Sequence, residues 1–328
     1  MTTPDYSRVA GATLLTLACV ASVSAQTAPD MNYPARPVRI IVPLAAGGPV
    51  DLVARRVGDR LAKQLGQPVT VENRAGGNGI IGATACKSAQ PDGHTLCILL
   101  SDTVVINPAI YKKLPYAVTD FAPISEISRI DTAVVVTTAL PVRTLRELVQ
   151  YDRAHPGTLN WGHFGIGSSS HLFMAQVNDK LGSRIVDVPY QGGSLVLNAM
   201  LGNQVQVSSL SYSLVAQYID SGKLRALAVL GDVASPRFPG VPLLKDQGLG
   251  TARNAWVGLF APTGTSPAII ARLFNEIKTI TSDTEFQKAL EAQGLAVTGR
   301  SPDETAAVIK AEGEDWHWVA ASAKVSLD

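Results

Sequence analysis

Short apolar runs alternate along this chain with longer stretches in which apolar residues recur every three or four positions. Val38–Val42 reads as a strand, residues 50–65 as a helix stopped by Gly66, and Val69–Asn73 as a second strand. Residues 80–88 carry a helical pattern, Pro91-Asp92-Gly93 marks a turn, and Thr95–Leu100 is a third strand. Strands that alternate with helices predict an α/β fold built on parallel sheet.

A second unit begins after Phe121. Residues 133–137 form a β-branched strand, 144–154 a helix capped by Thr144, 160–161 a strand and 170–180 the next helix. The alternation continues through Val186–Pro189, 194–201, 205–210, 214–221 and 225–230. A proline-rich connection (236–242) then leads to a returning strand at 256–261, and helices at 267–280, 283–293 and 302–323 close the chain. The order implies one domain interrupted by another, with crossings near 122–132 and 243–256. Residues 26–127 and 250–328 are expected to form one lobe and 128–249 the other, hinged around a cleft.

Two glycine-rich loops each lie between a predicted strand and a predicted helix. The first is Pro43-Leu44-Ala45-Ala46-Gly47-Gly48-Pro49-Val50-Asp51, and the second runs from Gly162 through His163, Phe164 and Gly167 to His171. A helix start leaves backbone N–H groups unpaired and carries partial positive charge, and glycine lets an anion approach it closely. Ligands of such sheets bind at the carboxyl ends of the strands, where both loops fall. The pair therefore reads as two halves of an anion clamp.

Arg8, the apolar stretch 9–23 and Val23-Ser24-Ala25 fit an export signal cleaved near Ala25, leaving a soluble chain. Lipid anchoring through Cys19 is the alternative. The formal charge of +1 offers no nucleic-acid surface, and 46% hydrophobic with 17% charged residues describes a packed globular protein, not a disordered tail. Beyond the signal only Cys86 and Cys97 remain, one in a helical and one in a strand pattern. Two buried free thiols are expected rather than a bridge.

Three other chemistries are considered. Gly77-Asn78-Gly79-Ile80-Ile81-Gly82, with Asp102 twenty residues on, matches the dinucleotide fingerprint, but five residues separate Val71 from the first glycine where the tight turn allows almost none. Ser168, Ser169 and Ser170 beside His171 lack the G-x-S-x-G of a nucleophile elbow and read as helix caps. Asp51 reads as a cap and dipole partner rather than a general base, and Arg55 as its helix-face partner. The five histidines show no metal-binding spacing, Trp316-His317-Trp318 reads as buried packing, and no cofactor is expected.

Tyr33-Pro34-x-Arg36-Pro37, the run 43–55, Val71-Glu72-Asn73-Arg74-x-Gly76, Pro91-Asp92-Gly93, Asn107-Pro108-x-x-Tyr111, Asp120-Phe121-Ala122-Pro123, Gly167-Ser168-x-x-His171-Leu172, Val188-Pro189-Tyr190-x-Gly192 and Leu224-x-Ala226-Leu227-Ala228 together resemble the Bug (tricarboxylate-binding) family. These are periplasmic receptors of tripartite tricarboxylate transporters. The resemblance implies a type II periplasmic binding protein fold, two lobes joined by two crossover segments, acting as a monomer with the transporter's membrane subunits as partners. It implies that Ala46, Gly47, Gly48, Gly167, Ser168 and Ser169 line the carboxylate end of the site, with Tyr190, Gly192 and Gly193 as a neighbouring wall.

The departures from the family concern ligand choice. Leu44 stands where an aromatic residue is common, His163-Phe164 where a small polar one is, and Gln206 where an aspartate often is. If Gln206 lies near the cleft, an amino-acid ligand is disfavoured. In the sharper reading His163 and Phe164 face the cleft and pack on an apolar or aromatic body, while Ser209, Ser211 or Thr103 meets a distal polar group. The plainer reading, towards which the residue types lean, makes Phe164 core and His163 a solvated loop residue. The expected ligand is a small carboxylate, such as an aromatic or aliphatic dicarboxylate. The alternatives are a periplasmic sensor that signals to a membrane kinase, and a hydrolase.

Overall fold

The computed structural model describes residues 1–2, 33–231, 234–247, 254–322 and Leu327, with 317–322 as backbone only. The export signal and the Cys19 alternative lie outside the described residues, as do the side chains of His317 and Trp318. No helix of the described residues is long and apolar enough to cross a membrane.

The chain folds into two lobes, each built on one sheet. The first sheet takes β1 (Val38–Val42), β2 (Val69–Asn73), β3 (Thr95–Leu100), β4 (Phe121–Ile130), β10 (Trp256–Pro262) and β11 (Leu295–Val297), in the order β11-β4-β10-β3-β1-β2. The second takes β5 (Thr132–Thr137), β6 (Asn160–His163), β7 (Val186–Pro189), β8 (Val207–Ser211) and β9 (Leu224–Val229), in the order β7-β6-β8-β5-β9. Only β2-β1-β3 and β7-β6-β8 are parallel. β10 runs antiparallel to both β3 and β4, and β5 antiparallel to β8 and β9, so the all-parallel expectation gives way to mixed sheets. The antiparallel strands sit beside the crossings, where the chain leaves one sheet and re-enters it in the opposite sense.

Helices cover both faces of the first sheet. Ile40 and Val42 pack on Val53, Val57 and Leu61 of α1 (Pro49–Leu65) and on Leu273 and Ile277 of α8 (Pro267–Ser282). Ile41 and Leu99 face the other way, onto Ala83 of α2 (Ile80–Lys87), Trp256 and Phe260. This two-sided burial is why β1 is apolar on both faces apart from Arg39, whose half-exposed side chain pairs with Glu72. On that second face Cys86 and Cys97 form a disulfide, with Cα atoms 6.0 Å apart. The expectation of two free thiols is thereby corrected, because α2 lies directly against β3 and brings the thiols within bonding reach.

The strand β4 escapes the sequence pattern. The order of elements puts a crossing near 122–132, yet most of that segment is strand, although Ser125, Glu126, Ser128 and Arg129 interrupt its apolar residues. Three of these are fully buried all the same. Glu126 receives Arg129 at 3.0 Å and Arg300 at 2.6 Å, and Arg129 also reaches Glu312, whose other oxygen accepts the Trp256 indole N–H at 2.7 Å. Paired charges are tolerated in a core where single ones are not. Because β4 ends at Ile130 and β5 starts at Thr132, the first crossing shrinks to Asp131. Its neighbour across the waist is Ala255, whose carbonyl accepts the Ile130 N–H at 2.8 Å.

The dinucleotide-like glycines serve packing. A Cβ on Gly82 would lie 2.6 Å from the Pro43 Cα, and one on Gly79 2.8 Å from the Thr103 hydroxyl. They let α2 press against the end of β1.

Candidate functional site

The first loop carries the chain from β1 into α1. Its cap, Gly48, makes no side-chain bond to the helix start. The second leads from β6 into α5 (Ser169–Leu181), where the Ser168 hydroxyl accepts the His171 N–H at 3.3 Å. α6 (Gly193–Leu201) and α7 (Tyr212–Asp220), which follow β7 and β8, also start without a side-chain cap. Four helix starts thus gather at the carboxyl ends of the strands, as the fold's winding requires.

The lobes meet here through named contacts. The Ala45 N–H donates to the Gln191 carbonyl at 3.2 Å, the Ser194 hydroxyl to the Ala46 carbonyl at 3.0 Å, and the Tyr111 hydroxyl to the Ile166 carbonyl at 3.0 Å. Gly192 and Gly165 hold φ of 158° and 143°, and a side chain on either would press on Ala45 or on Asn78 of the opposite lobe. Glycine is what allows this approach.

A cavity of about 70 Å³ lies between the lobes. Its apolar wall includes Leu44, Val50 and Leu100 from one side and Phe164, Leu210 and Leu214 from the other, with Ser169, Ser170, Ser209, Ser211 and Thr132 as its polar groups. Among the described residues no charged side chain lines it. The Ser209 hydroxyl donates to Ser170 Oγ at 2.7 Å, and the Trp161 indole reaches the same oxygen at 3.4 Å, which leaves Ser170 its own proton to donate. Outside this cavity is a groove of about 430 Å³ that takes in Gly76–Gly79, Tyr111, Pro189 and Tyr190. Leu44 and Phe164 line both spaces and form the wall they share.

Of the residues singled out from sequence, Leu44, Phe164, Ser169, Gly193 and Ser209 line the cavity and Tyr190 the outer groove. Ala46 and Gly47 lie in the first loop at the contact with Ser194, and Gly48 caps α1. Three others have different employment. Thr103 is buried in the π-helical turn at Asp102–Ile106, where its carbonyl accepts the Tyr116 hydroxyl at 2.6 Å. Gly167 is packed against Ile110 and Tyr111, and its N–H donates to His171 Nδ1 at 3.1 Å. His163 does not line the cleft; it is fully buried against α5, 4.7 Å ring to ring from His171. It is therefore neither a cleft residue nor a solvated one, while Phe164 is half-buried in the cleft. Gln206 bonds the Asn160 N–H and the Asn203 carbonyl, away from the cavity, so its identity carries nothing about the ligand.

Two carboxylates of the chain itself sit at the loops. Asp51 accepts the Gly47 N–H at 3.0 Å together with Arg55 and the Asn73 amide. Burial pushes its pKa up, but these three donors outweigh burial and hold the carboxyl below its ordinary value. Asp102, which entered the sequence analysis only through the dinucleotide fingerprint, crosses between the lobes. Its Oδ2 accepts the Ser169 N–H at 2.7 Å while Oδ1 is buried without a partner. Burial pushes this carboxyl up to about 6. Among the other lining residues, Leu100 and Ile130 end strands and Leu230 follows one; the strand-end rule was the signal that locates them.

No serine of the second loop contacts an imidazole nitrogen as a nucleophile would. Ser168 accepts a backbone N–H and His171 Nδ1 is occupied by Gly167. The histidines, ungrouped in sequence, do assemble in space: His163, His171 and Asp187 place one ligand atom each within 4.8 Å of one another.

The fold and the interlobe cavity define a binding protein of the two-lobed periplasmic class. Residues 53–322 match the family model of the tripartite tricarboxylate transporter family receptor, and the chain belongs to that family of solute-binding receptors, which is not an enzyme family. It is 33% identical over 311 residues to the protein BugT of Bordetella pertussis (strain Tohama I), covering 94% of each chain. Among solved structures, R. palustris Rpa4515 with adipate superposes with a TM-score of 0.86 at 28% identity, covering 90% of this chain and 100% of that one. MatC from Rhodopseudomonas palustris with bound malate gives 0.83 at 31% identity, covering 88% and 99%.

Proposed function

We propose that this protein is a periplasmic receptor that closes its two lobes over a small carboxylate with an uncharged, largely apolar body and delivers it to the membrane subunits of a tripartite tricarboxylate transporter. The observation that carries the reading is the interlobe cavity, where helix starts and serine hydroxyls face an apolar wall with no charged side chain. Helix starts and hydroxyls suit a carboxylate, and the apolar wall suits the carbon chain or ring behind it. An amine would meet no carboxylate on the wall. Adipate and malate in two relatives of the same fold support the ligand class.

The start of α5 has affinity for a carboxylate oxygen, since that of Asp102 lies on the Ser169 N–H. The cavity is about 70 Å³, smaller than the roughly 150 Å³ that accepts benzene. Entry therefore requires the lobes to part, or Leu44 and Phe164 to turn so that cavity and groove merge. We place the hinge at Asp131 and at the strand entry beside Ala255. Native mass spectrometry of the purified protein identifies any retained ligand. A thermal-shift panel of aliphatic and aromatic mono- and dicarboxylates, amino acids and sugars tests the class. Stabilisation by one or more carboxylates and by no amine is expected; a response to amino acids or sugars alone refutes it. Loss of uptake of that carboxylate on deletion tests the transporter partner.

A further inference from the structure

We infer that His163, His171 and Asp187 form a binding site for a divalent transition-metal ion of the zinc type, on the far side of β6 from the α6 helix and separate from the cleft. His163 ends β6 on the same face as Trp161, His171 stands in the first turn of α5, and Asp187 lies on the neighbouring edge strand β7, in register with Trp161. Two imidazoles and one carboxylate with ligand atoms within 4.8 Å of one another are the donor set such ions take.

An independent observation points the same way. His163 is fully buried and its Nδ1 lies 2.8 Å from the Gly165 carbonyl. A carbonyl only accepts, so Nδ1 carries the proton and Nε2 presents a lone pair. That Nε2 is buried without a hydrogen-bond partner; an Asp187 carboxylate oxygen lies 3.5 Å away. A buried acceptor left unmade is costly unless something fills the place. The Gly165 carbonyl plays the part that backbone carbonyls play behind metal-bound histidines, fixing the tautomer and aiming the other nitrogen.

Binding requires modest adjustment. Tetrahedral ligand atoms about 2.0–2.1 Å from the ion stand roughly 3.3 Å apart. The Asp187 side chain, 47% exposed, is free to swing the required distance. His171 Nδ1 accepts the Gly167 N–H, so whichever of its nitrogens binds, that one hydrogen bond is exchanged for the metal bond. The exposure of Asp187 leaves the fourth position open to water.

The test uses untagged, chelator-treated protein titrated with zinc chloride and, in parallel, cobalt chloride. One ion retained per chain after gel filtration, with the visible absorption of four-coordinate cobalt, is expected; magnesium should give neither. Asp187→Ala, at an exposed position, should weaken zinc binding at least tenfold, and His171→Gln should abolish stoichiometric retention. Both variants are checked for native circular dichroism, which avoids relying on the fully buried His163. Absence of stoichiometric uptake by the unmodified chain overturns the inference, as does unchanged affinity in either folded variant.

Discussion

Replacing Asp102 by asparagine should change how stability depends on pH, by an amount the structure sets. The carboxyl rises from 3.8 to about 6 on folding because it is buried, and the hydrogen bonds it accepts, that of the Ser169 N–H first among them, do not offset that. A carboxyl with a raised folded-state pKa binds protons more tightly in the native than in the unfolded state. Its contribution is therefore fully present below about pH 4 and is lost as pH rises through 6. At 1.36 kcal/mol per pH unit the interval amounts to about 3 kcal/mol. Asparagine keeps an oxygen for the Ser169 N–H but puts an amide where Oδ1 has no partner, at a pH-independent cost of about 1–3 kcal/mol.

The informative quantity is thus the difference between the two proteins as a function of pH. His163 and Asp131 are also shifted by burial and add slopes of their own, but these cancel between wild type and variant. Urea unfolding at half-unit steps from pH 4 to 8 measures it. Relative to wild type, Asp102→Asn should gain stability steadily between pH 4 and 6.5 and level off above. A difference that is flat across the range, or that falls as pH rises, would show that Asp102 ionises in the native state as easily as in the unfolded one, and the argument from burial would fail.

Phe164→Ala should join the inner cavity to the outer groove, cost about 1–2 kcal/mol for a half-buried ring, and weaken carboxylates with long apolar bodies more than short ones, as calorimetry would show. Gly167→Ala should cut ligand affinity at least tenfold in the same assay, since φ is 81° there and the new methyl would run into Ile110 of the opposite lobe. Joint replacement of Cys86 and Cys97 by serine should lower unfolding free energy by about 3 kcal/mol, the chain-entropy value for a loop closed over a separation of 11 residues, and unfolding of the wild type with reductant should reproduce the loss.

What was legible in the sequence is what depends on neighbours along the chain. The helix from Pro49 to Leu65, its glycine stop and the Thr144 cap all follow from periodicity and capping chemistry within a few residues. What was not legible depends on partners far away. β4 hides because Glu126 is made tolerable by Arg300, 174 positions on. The disulfide hides because spacing carries no geometry, and the antiparallel β10 because its direction is set by where the chain re-enters the sheet.

The same distinction governs the site. Its two loops were found because a glycine-rich approach to a helix is a local pattern, and both reach the interlobe contact. What occupies their donors was not local: Asp51 returns to Gly47 within a turn, but Asp102 reaches Ser169 from the other lobe. His163 and His171 share the first turn of one helix and the strand before it, yet they become a metal-type cluster only when β7 lays Asp187 alongside. Polar residues whose partners arrive through the tertiary fold are invisible to periodicity, and functional groups are mostly of that kind. Buried polar atoms without a partner, such as Asp102 Oδ1 and His163 Nε2, are therefore the most direct structural sign of chemistry that sequence patterning misses.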